Sequence, residues 1–205
     1  MKINKGFFVT FEGPEASGKS SQILLLKKYL IKKQIPYIIT REPGGTVLGE
    51  KLRKLILSSK SNINNREEIL LLMAARSNHI NNVIIPNLKI GKLVISDRFA
   101  DSTFVYQGFV NKFGINKTKK LHSEILDNFK PNITFLFNIS INEIIKRLKK
   151  RKIKNKYDKI DYKFHTSVIN GYKKISNSKR YVNIDASLSK NIIHENILKS
   201  LKLKK

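Results

Sequence analysis

Apolar and polar positions along the chain follow two patterns that alternate from one end to the other. Gly6-Phe7-Phe8-Val9-Thr10-Phe11 is a short β-rich run that stops at Glu12 and Gly13, the pattern of a buried strand. Pro36–Thr40, Lys92–Ser96, Ile133–Asn138 and Arg180–Ile184 repeat it. Between these runs the apolar residues recur at helical spacing. From Lys19 to Lys33, for instance, Ile23, Leu24, Leu26, Leu30 and Ile31 share a face opposite a row of lysines. Further helices are predicted around 47–58, 66–89, 117–128, 141–151, 161–175 and 189–202. Strand alternating with helix implies right-handed crossovers and a mainly parallel, five-stranded sheet with helices on both faces. The predicted fold class is therefore three-layer α/β. No internal repeat or Pro/Ser-rich linker divides the chain, so residues 1–205 read as one domain. The stretch Lys146–Lys163 is dense in Lys with few apolar residues, and a mobile basic segment is expected near 150–160.

Composition removes several function classes. A chain of 205 residues can bury roughly 70 % of its unfolded surface without help from crosslinks. The absence of Cys excludes disulfides, thiol catalysis and Cys-containing zinc sites. No run approaches the roughly 20 apolar residues of a membrane span. The first residues turn polar at Glu12 before a leader-like apolar region develops, and a cytoplasmic protein is expected. The formal charge of +26 suggests a polyanion partner. Lys, however, supplies 33 of the 41 basic residues, and Ile and Asn are also abundant. Those three residues are what A+T-rich codons encode, and Lys is the poorer bidentate phosphate ligand. Composition bias is the preferred reading over nucleic-acid binding.

The candidate chemistry lies at the ends of the predicted strands. Gly13-Pro14-Glu15-Ala16-Ser17-Gly18-Lys19-Ser20 fits G-x-x-x-x-G-K-[ST] and sits between a strand and a helix, as a phosphate loop requires. Its backbone N–H groups and the helix N-terminus suit phosphate oxygens. Lys19 is placed to reach the β- and γ-phosphates of a nucleoside triphosphate, and the Ser20 hydroxyl to ligate Mg²⁺. The strand at 92–96 ends in Asp97, a second candidate Mg²⁺ ligand, followed by Arg98, whose planar fork suits phosphoryl oxygens. Arg41-Glu42-Pro43-Gly44-Gly45-Thr46 comes straight after the second strand; Pro-Gly-Gly taken alone is only a turn signal. Ser102, Tyr106 and Gln107 can stack on a base and bond its edges, although alone they pass for the start of an amphipathic helix. His79, His122, His165 and His194 show no metal-site spacing and read as structural or surface residues.

Taken in order, these motifs resemble the thymidylate kinase family of phosphate-loop kinases. The resemblance runs from Gly6 to Asp185 and is carried by Phe11-Glu12-Gly13 with its phosphate loop, Arg41–Thr46, Ala74-Ala75-Arg76, and Asp97-Arg98 with Ser102 and Tyr106-Gln107-Gly108. It implies a phosphate-loop kinase fold with a lid at about 147–160, transfer of the ATP γ-phosphoryl group to dTMP, Mg²⁺ as cofactor and a homodimer. It also implies residue roles. Glu15 corresponds to the acid that meets the acceptor sugar 3′-hydroxyl, Arg41 to an Arg near the acceptor phosphate, and Arg76 to the residue that meets thymine. Arg98 corresponds to the Arg that contacts both phosphates, and Ser102, Tyr106 and Gln107 to positions around base and sugar. This chain departs from the family pattern twice. Leu72 stands where an aromatic usually stacks on the base, so aliphatic packing replaces stacking. The lid string is Asn155-Lys156-Tyr157-Asp158 in place of Asp-Arg-aromatic-Glu, which leaves Arg151 or Lys156 to supply the lid cation. Two other classes stand beside the kinase reading: a nucleic-acid-stimulated ATPase and a nucleotide-binding protein of weak catalytic power.

Overall fold

The computed structural model of the chain describes residues 6–58, 60–150, 157 and 161–203. Its five strands are β1 (Phe7–Glu12), β2 (Tyr37–Arg41), β3 (Leu93–Asp97), β4 (Ile133–Asn138) and β5 (Tyr181–Asp185). They form one sheet in the order β2-β3-β1-β4-β5, and every pairing is parallel. The helices are α1 (Lys19–Lys32), α2 (Val47–Leu57), α3 (Asn65–His79), α4 (Ile85–Lys89), α5 (Ala100–Thr103), α6 (Ile115–Leu126), α7 (Ile141–Lys149), α8 (Tyr162–Ile175) and α9 (Lys190–Ser200). Successive strand residues face opposite sides of the sheet, and both sides are covered, which is why the strands read as continuous apolar runs. Val9, Phe11, Ile95, Phe135 and Phe137 pack with Leu26 and Leu30 of α1, Leu148 of α7 and Ile197 of α9. Phe8, Val94 and Leu136 face the other layer, with Ile69 and Met73 of α3 and Val168 and Tyr172 of α8.

Register brings the motifs to one edge. Phe11 and Arg41 both lie opposite Asp97, so the loops that leave β1, β2 and β3 open at the same level of the sheet. That carboxyl edge is where ligands gather in open α/β sheets.

The fold departs from the sequence pattern at three places. The helix expected over 66–89 is interrupted by a π-helical stretch, Ile80–Ile84, between α3 and α4. Pro86 has no N–H to offer the preceding turn, and a widened turn upstream absorbs the mismatch. The second departure is Ala100–Val110, a helical run that the sequence only hints at: one turn of α5 continues into a π-helical stretch, Phe104–Val110. Its aromatic and β-branched residues are poor helix formers, and packing holds them instead. Val105 is buried against α8 at Gly171, where a Cβ would lie 2.8 Å from Val105 Cγ1, so only glycine lets the two segments approach. At its far end the helix expected over 117–128 stops at Leu126, because Asp127 and Asn128 take left-handed backbone angles.

Candidate active site

The phosphate loop is set by β1, which ends buried at Glu12, and by α1, which opens at Lys19. Lys19 folds back over the loop, its Nζ donating to the carbonyls of Gly13 (3.0 Å) and Pro14 (2.6 Å) and to Ser17 Oγ (3.1 Å). Burial, together with the charge of Arg98, lowers its pKa to about 8, which leaves it cationic at neutral pH. Ser20 Oγ donates to Asp97 Oδ2 at 3.0 Å, so an alcohol and a carboxylate converge at the mouth of the loop. Two adjacent hard oxygen donors fit Mg²⁺, whose remaining ligands come from phosphate and water. Among the described residues no cluster of three acidic, His or Cys side chains could hold a metal by itself.

Arg98 is the hub of the site. It follows β3 with a left-handed backbone angle (φ 71°), which turns its side chain back across the edge of the sheet. Its guanidinium donates to the Gly13 carbonyl (3.0 Å), Ser102 Oγ (3.0 Å), the Tyr172 hydroxyl (3.1 Å) and Glu15 Oε1 (2.9 Å). Glu15 also receives the Tyr106 hydroxyl at 2.6 Å. Beneath them Glu12, fully buried, accepts from the Phe99 N–H (2.8 Å), Ser102 Oγ (2.7 Å) and Tyr172 OH (2.9 Å).

A cavity of about 480 Å³ runs from the phosphate loop past Arg98 toward α2 and α3. Leu72, Arg76, Phe99, Thr103 and Gln107 line its far end. Arg76 is almost wholly buried, with Nε on Glu42 Oε2 (2.7 Å), Nη2 on Thr103 Oγ1 (2.8 Å) and its guanidinium 5.3 Å from the Phe99 ring centroid. The other Glu42 oxygen accepts from His79 Nδ1 at 3.0 Å, and His79 Nε2 and Thr40 Oγ1 share a hydrogen bond of 2.6 Å. Burial alone would raise the Glu42 pKa, but Arg76 and His79 outweigh it and hold the carboxyl below its ordinary value. At the wall, Gln107 Nε2 donates to Glu68 Oε1 at 2.6 Å, and the Tyr157 hydroxyl donates to the same oxygen.

With this geometry in place, the comparisons with known proteins are decisive. The family model described as thymidylate kinase matches residues 11–197. The chain belongs to the thymidylate kinase family. It is 39 % identical over 196 residues to the thymidylate kinase of Caldicellulosiruptor saccharolyticus, covering 95 % of each chain. It is 38 % identical over 205 residues to that of Rickettsia bellii, covering 98 % of each. The crystal structure of thymidylate kinase from Ehrlichia chaffeensis superposes with a TM-score of 0.77 at 30 % identity, over 96 % of this chain and 99 % of that one.

The candidate residues of a thymidylate kinase site are brought together to a large extent. The phosphate loop from Glu15 to Ser20, Arg41, Leu72, Arg76, Asp97, Arg98, Ser102, Tyr106 and Gln107 all line the one cavity. Arg41 sits at its rim, more than half exposed and paired with Glu50. Of the segment at about 147–160 expected as a lid, residues 147–149 belong to α7, and Arg147 is anchored there, donating to the carbonyls of Ala16 and Ala186 (both 3.2 Å). Arg151 and Lys156 lie outside the described residues. Four participants escaped the sequence reading in whole or in part. Arg53, on the second turn of α2, lines the cavity and donates to the Pro43 carbonyl at 2.7 Å; it stands too far beyond the Pro-Gly-Gly motif for a motif to flag. Glu42 and Glu12 were visible only as letters within motifs, and Tyr172 carried no signal at all, since it arrives from α8 through the tertiary fold.

Proposed function

We propose that the protein is a dTMP kinase, transferring the γ-phosphoryl group of ATP to the 5′-phosphate of dTMP to give dTDP and ADP in dTTP biosynthesis. The observation that carries this reading is the shared position of Arg98: one guanidinium touches the phosphate loop at Gly13 and also lines the cavity that leads to Arg76. Donor and acceptor phosphates brought to the two sides of that group lie next to one another, and phosphoryl transfer needs mainly such alignment and charge neutralisation.

Each side chain then has a task. Lys19 exchanges its loop carbonyls for the β- and γ-phosphates. Arg98 meets donor and acceptor phosphates, and Arg41 and Arg53 approach the acceptor phosphate from the β2 side. Glu15, fixed by Arg98 and Tyr106, accepts from the sugar 3′-hydroxyl. Arg76 and Gln107 offer donors to the base, which packs on Leu72. The acceptor phosphate is already anionic, so no general base is required. Ser20 and Asp97 would hold Mg²⁺, which supplies charge neutralisation on the donor phosphates. A lid cation from Arg151 or Lys156 completes the reading. So do a cytoplasmic location and a homodimer, the latter supported by exposed apolar Leu48 and Leu55 on α2 and Leu70 on α3. No helix among the described residues is long and apolar enough to cross a membrane.

A coupled ADP-release assay with each nucleoside monophosphate tests the proposal. dTMP is expected to be the best acceptor, dUMP slower and purine nucleotides poor, with Lys19→Ala close to inactive but folded. Preference for AMP or CMP would refute the substrate assignment. Turnover that rises with added DNA and falls steeply with salt would instead favour the ATPase reading.

A further inference from the structure

Glu12 is the most deeply buried acid near the site, and none of the roles above uses it. It touches neither the cavity nor the phosphate loop's concave face; it sits one layer below, at the end of β1. Its two oxygens are divided. Oε1 takes the Phe99 N–H (2.8 Å), the amide that follows Arg98 and its left-handed turn. Oε2 takes the Ser102 hydroxyl (2.7 Å) and the Tyr172 hydroxyl (2.9 Å). Those same two oxygens lie 3.0 and 3.1 Å from Arg98 Nη1.

Proton counting fixes the direction of every bond in this cluster. A guanidinium can only donate, so Ser102 and Tyr172 must each present a lone pair to Arg98. Each hydroxyl has a single proton, and an ionised Glu12 is the acceptor that takes both. When Glu12 is protonated it must itself donate. One hydroxyl then loses its acceptor and turns its own proton toward Arg98 or toward the other hydroxyl, 3.0 Å away. The guanidinium loses one aligned partner, and Gly13, Glu15 and the other hydroxyl are left to hold it.

Resting on the kinase reading above, we infer that Glu12 is the positioning residue for Arg98: its carboxylate fixes the Ser102 and Tyr172 hydroxyls as acceptors and the Phe99 amide as the end of the turn, and so holds the guanidinium at the junction of the two phosphates. The charged and titratable groups that face it come from every neighbouring element. They are Asp101 on α5, Arg98 in the turn, Tyr172 on α8, Lys19 on α1, and Arg180 and Tyr181 at the start of β5. Burial first and Asp101 second push the Glu12 pKa up to about 7, against Arg98 and the two hydroxyls. The switch of hydrogen-bond direction therefore falls within an accessible pH range.

The test compares kcat/KM for dTMP between wild type and Glu12→Gln across pH. The acceptor's own second phosphate ionisation, near pH 6, is common to both enzymes and cancels in the ratio. Below about pH 6 the protonated acid and the amide are near-equivalents, and the ratio should approach unity. It should climb through pH 7 and level off at about ten- to a hundredfold, the usual cost of losing a supporting partner behind a functional group. KM for ATP should change far less. A ratio that does not vary with pH means that the carboxylate only props up the fold, and overturns the inference. Tyr172→Phe covers failure of the Gln variant to fold: removing one donor should move the wild-type acid limb to higher pH, and an unmoved limb counts against the proposal. Loss of dTMP turnover in the wild type at every pH would refute the kinase reading instead. The ¹⁵N signals of the Arg98 guanidinium then decide the positioning role alone: split by restricted rotation in wild type at about pH 8 and averaged in Glu12→Gln, or equally ordered in both, which would sink it.

Discussion

Glu12 ends β1 and Glu42 follows β2, two strands of the same sheet separated by β3; each acid is buried and each spreads its oxygens over several donors, yet their pKa values shift in opposite directions. Glu42 faces the guanidinium of Arg76 and the imidazole of His79, and these bring its pKa below the ordinary value despite the cost of burial. Glu12 faces two hydroxyls, an amide and the negative Asp101; burial and Asp101 take its pKa up to about 7. Burial is thus common to both and decides neither. What decides is whether the partner that meets the carboxylate carries a full charge. Glu42 is a permanent clamp on Arg76, whereas Glu12 ionises in the fold only around pH 7, where its carboxylate comes to align the hydroxyls that hold Arg98.

The largest expected effect follows from breaking the clamp. In Glu42→Gln the amide nitrogen must face either Arg76 Nε–H or His79 Nδ1–H, donor against donor, while Arg76 stays buried without its counter-charge. Removing one partner of a buried ion pair costs about 3–5 kcal/mol. At roughly 2–4 °C per kcal/mol for a domain of this size, the thermal midpoint should fall by about 6–20 °C. Thermal unfolding by circular dichroism measures it, and a midpoint within about 2 °C of wild type would mean that Glu42 and Arg76 do not act as an ion pair.

The difference between the two acids could not be read from the sequence, although much around them could. All five strands, the parallel sheet and the phosphate loop were legible, because buried strands write themselves as apolar runs and the Lys19-Ser20 spacing admits few alternatives. Arg41, Arg76 and Arg98 were legible through motifs. The partners that set charge were not: Arg76 reaches Glu42 across 34 residues and Tyr172 reaches Glu12 across 160, from helices whose sequence shows only an apolar face. The Ala100–Val110 helix was obscured for a related reason, since Phe104, Val105 and Tyr106 have strand-like propensities that packing on α8 overrides.

Stability against pH separates the two acids next. Below its ordinary pKa of about 4.5, Glu12 is protonated in both folded and unfolded chains and has no effect on the slope. Between about 4.5 and about 7 the unfolded chain releases this proton while the folded one keeps it. The unfolded state then binds fewer protons, so this group makes the protein less stable as pH rises, until the effect levels off above 7. Glu42 acts in the opposite sense: its contribution is present above its unfolded pKa and is lost as pH falls through its depressed folded value. Denaturant titrations at pH 5 and pH 8 should therefore show Glu12→Gln losing less stability, or gaining some, over that interval than wild type. Parallel slopes in the two proteins would show that Glu12 is ionised in the fold throughout.

A smaller effect is expected from disturbing the Glu42 clamp at its far end. Gly45 has φ 81°, and a Cβ there would lie 2.4 Å from Thr40 Oγ1 and 2.6 Å from His79 Nε2, inside the bond that joins them. Gly45→Ala combines left-handed strain of about 1–2 kcal/mol with a weakened hydrogen bond. Its loss of stability should be about half that of Glu42→Gln, and additivity of the two variants would show that His79 does not transmit the disturbance to Glu42.

The smallest effect on stability is expected one residue from the largest. Arg41 neighbours Glu42 in sequence, and it too forms a bidentate pair, donating to both oxygens of Glu50 at 3.2 and 2.8 Å. Its side chain is 54 % exposed and that of Glu50 is 38 % exposed, against 2 % and 4 % for Arg76 and Glu42. Water screens the exposed pair, and side-chain ordering offsets most of what remains, so Arg41→Ala should cost about 0–1 kcal/mol. Glu50 does not become an orphan either, because the Gly45 N–H still donates to it at 3.0 Å. The same exposure limits what Arg41 contributes to the acceptor phosphate. Arg53 lines the cavity with its guanidinium steadied by the Pro43 carbonyl, so it spends less ordering entropy when a phosphate arrives. KM for dTMP should therefore rise more in Arg53→Ala than in Arg41→Ala, with both variants folding as wild type. The reverse order would mean that Arg41 leaves Glu50 when the acceptor binds and becomes the principal cation on the β2 side.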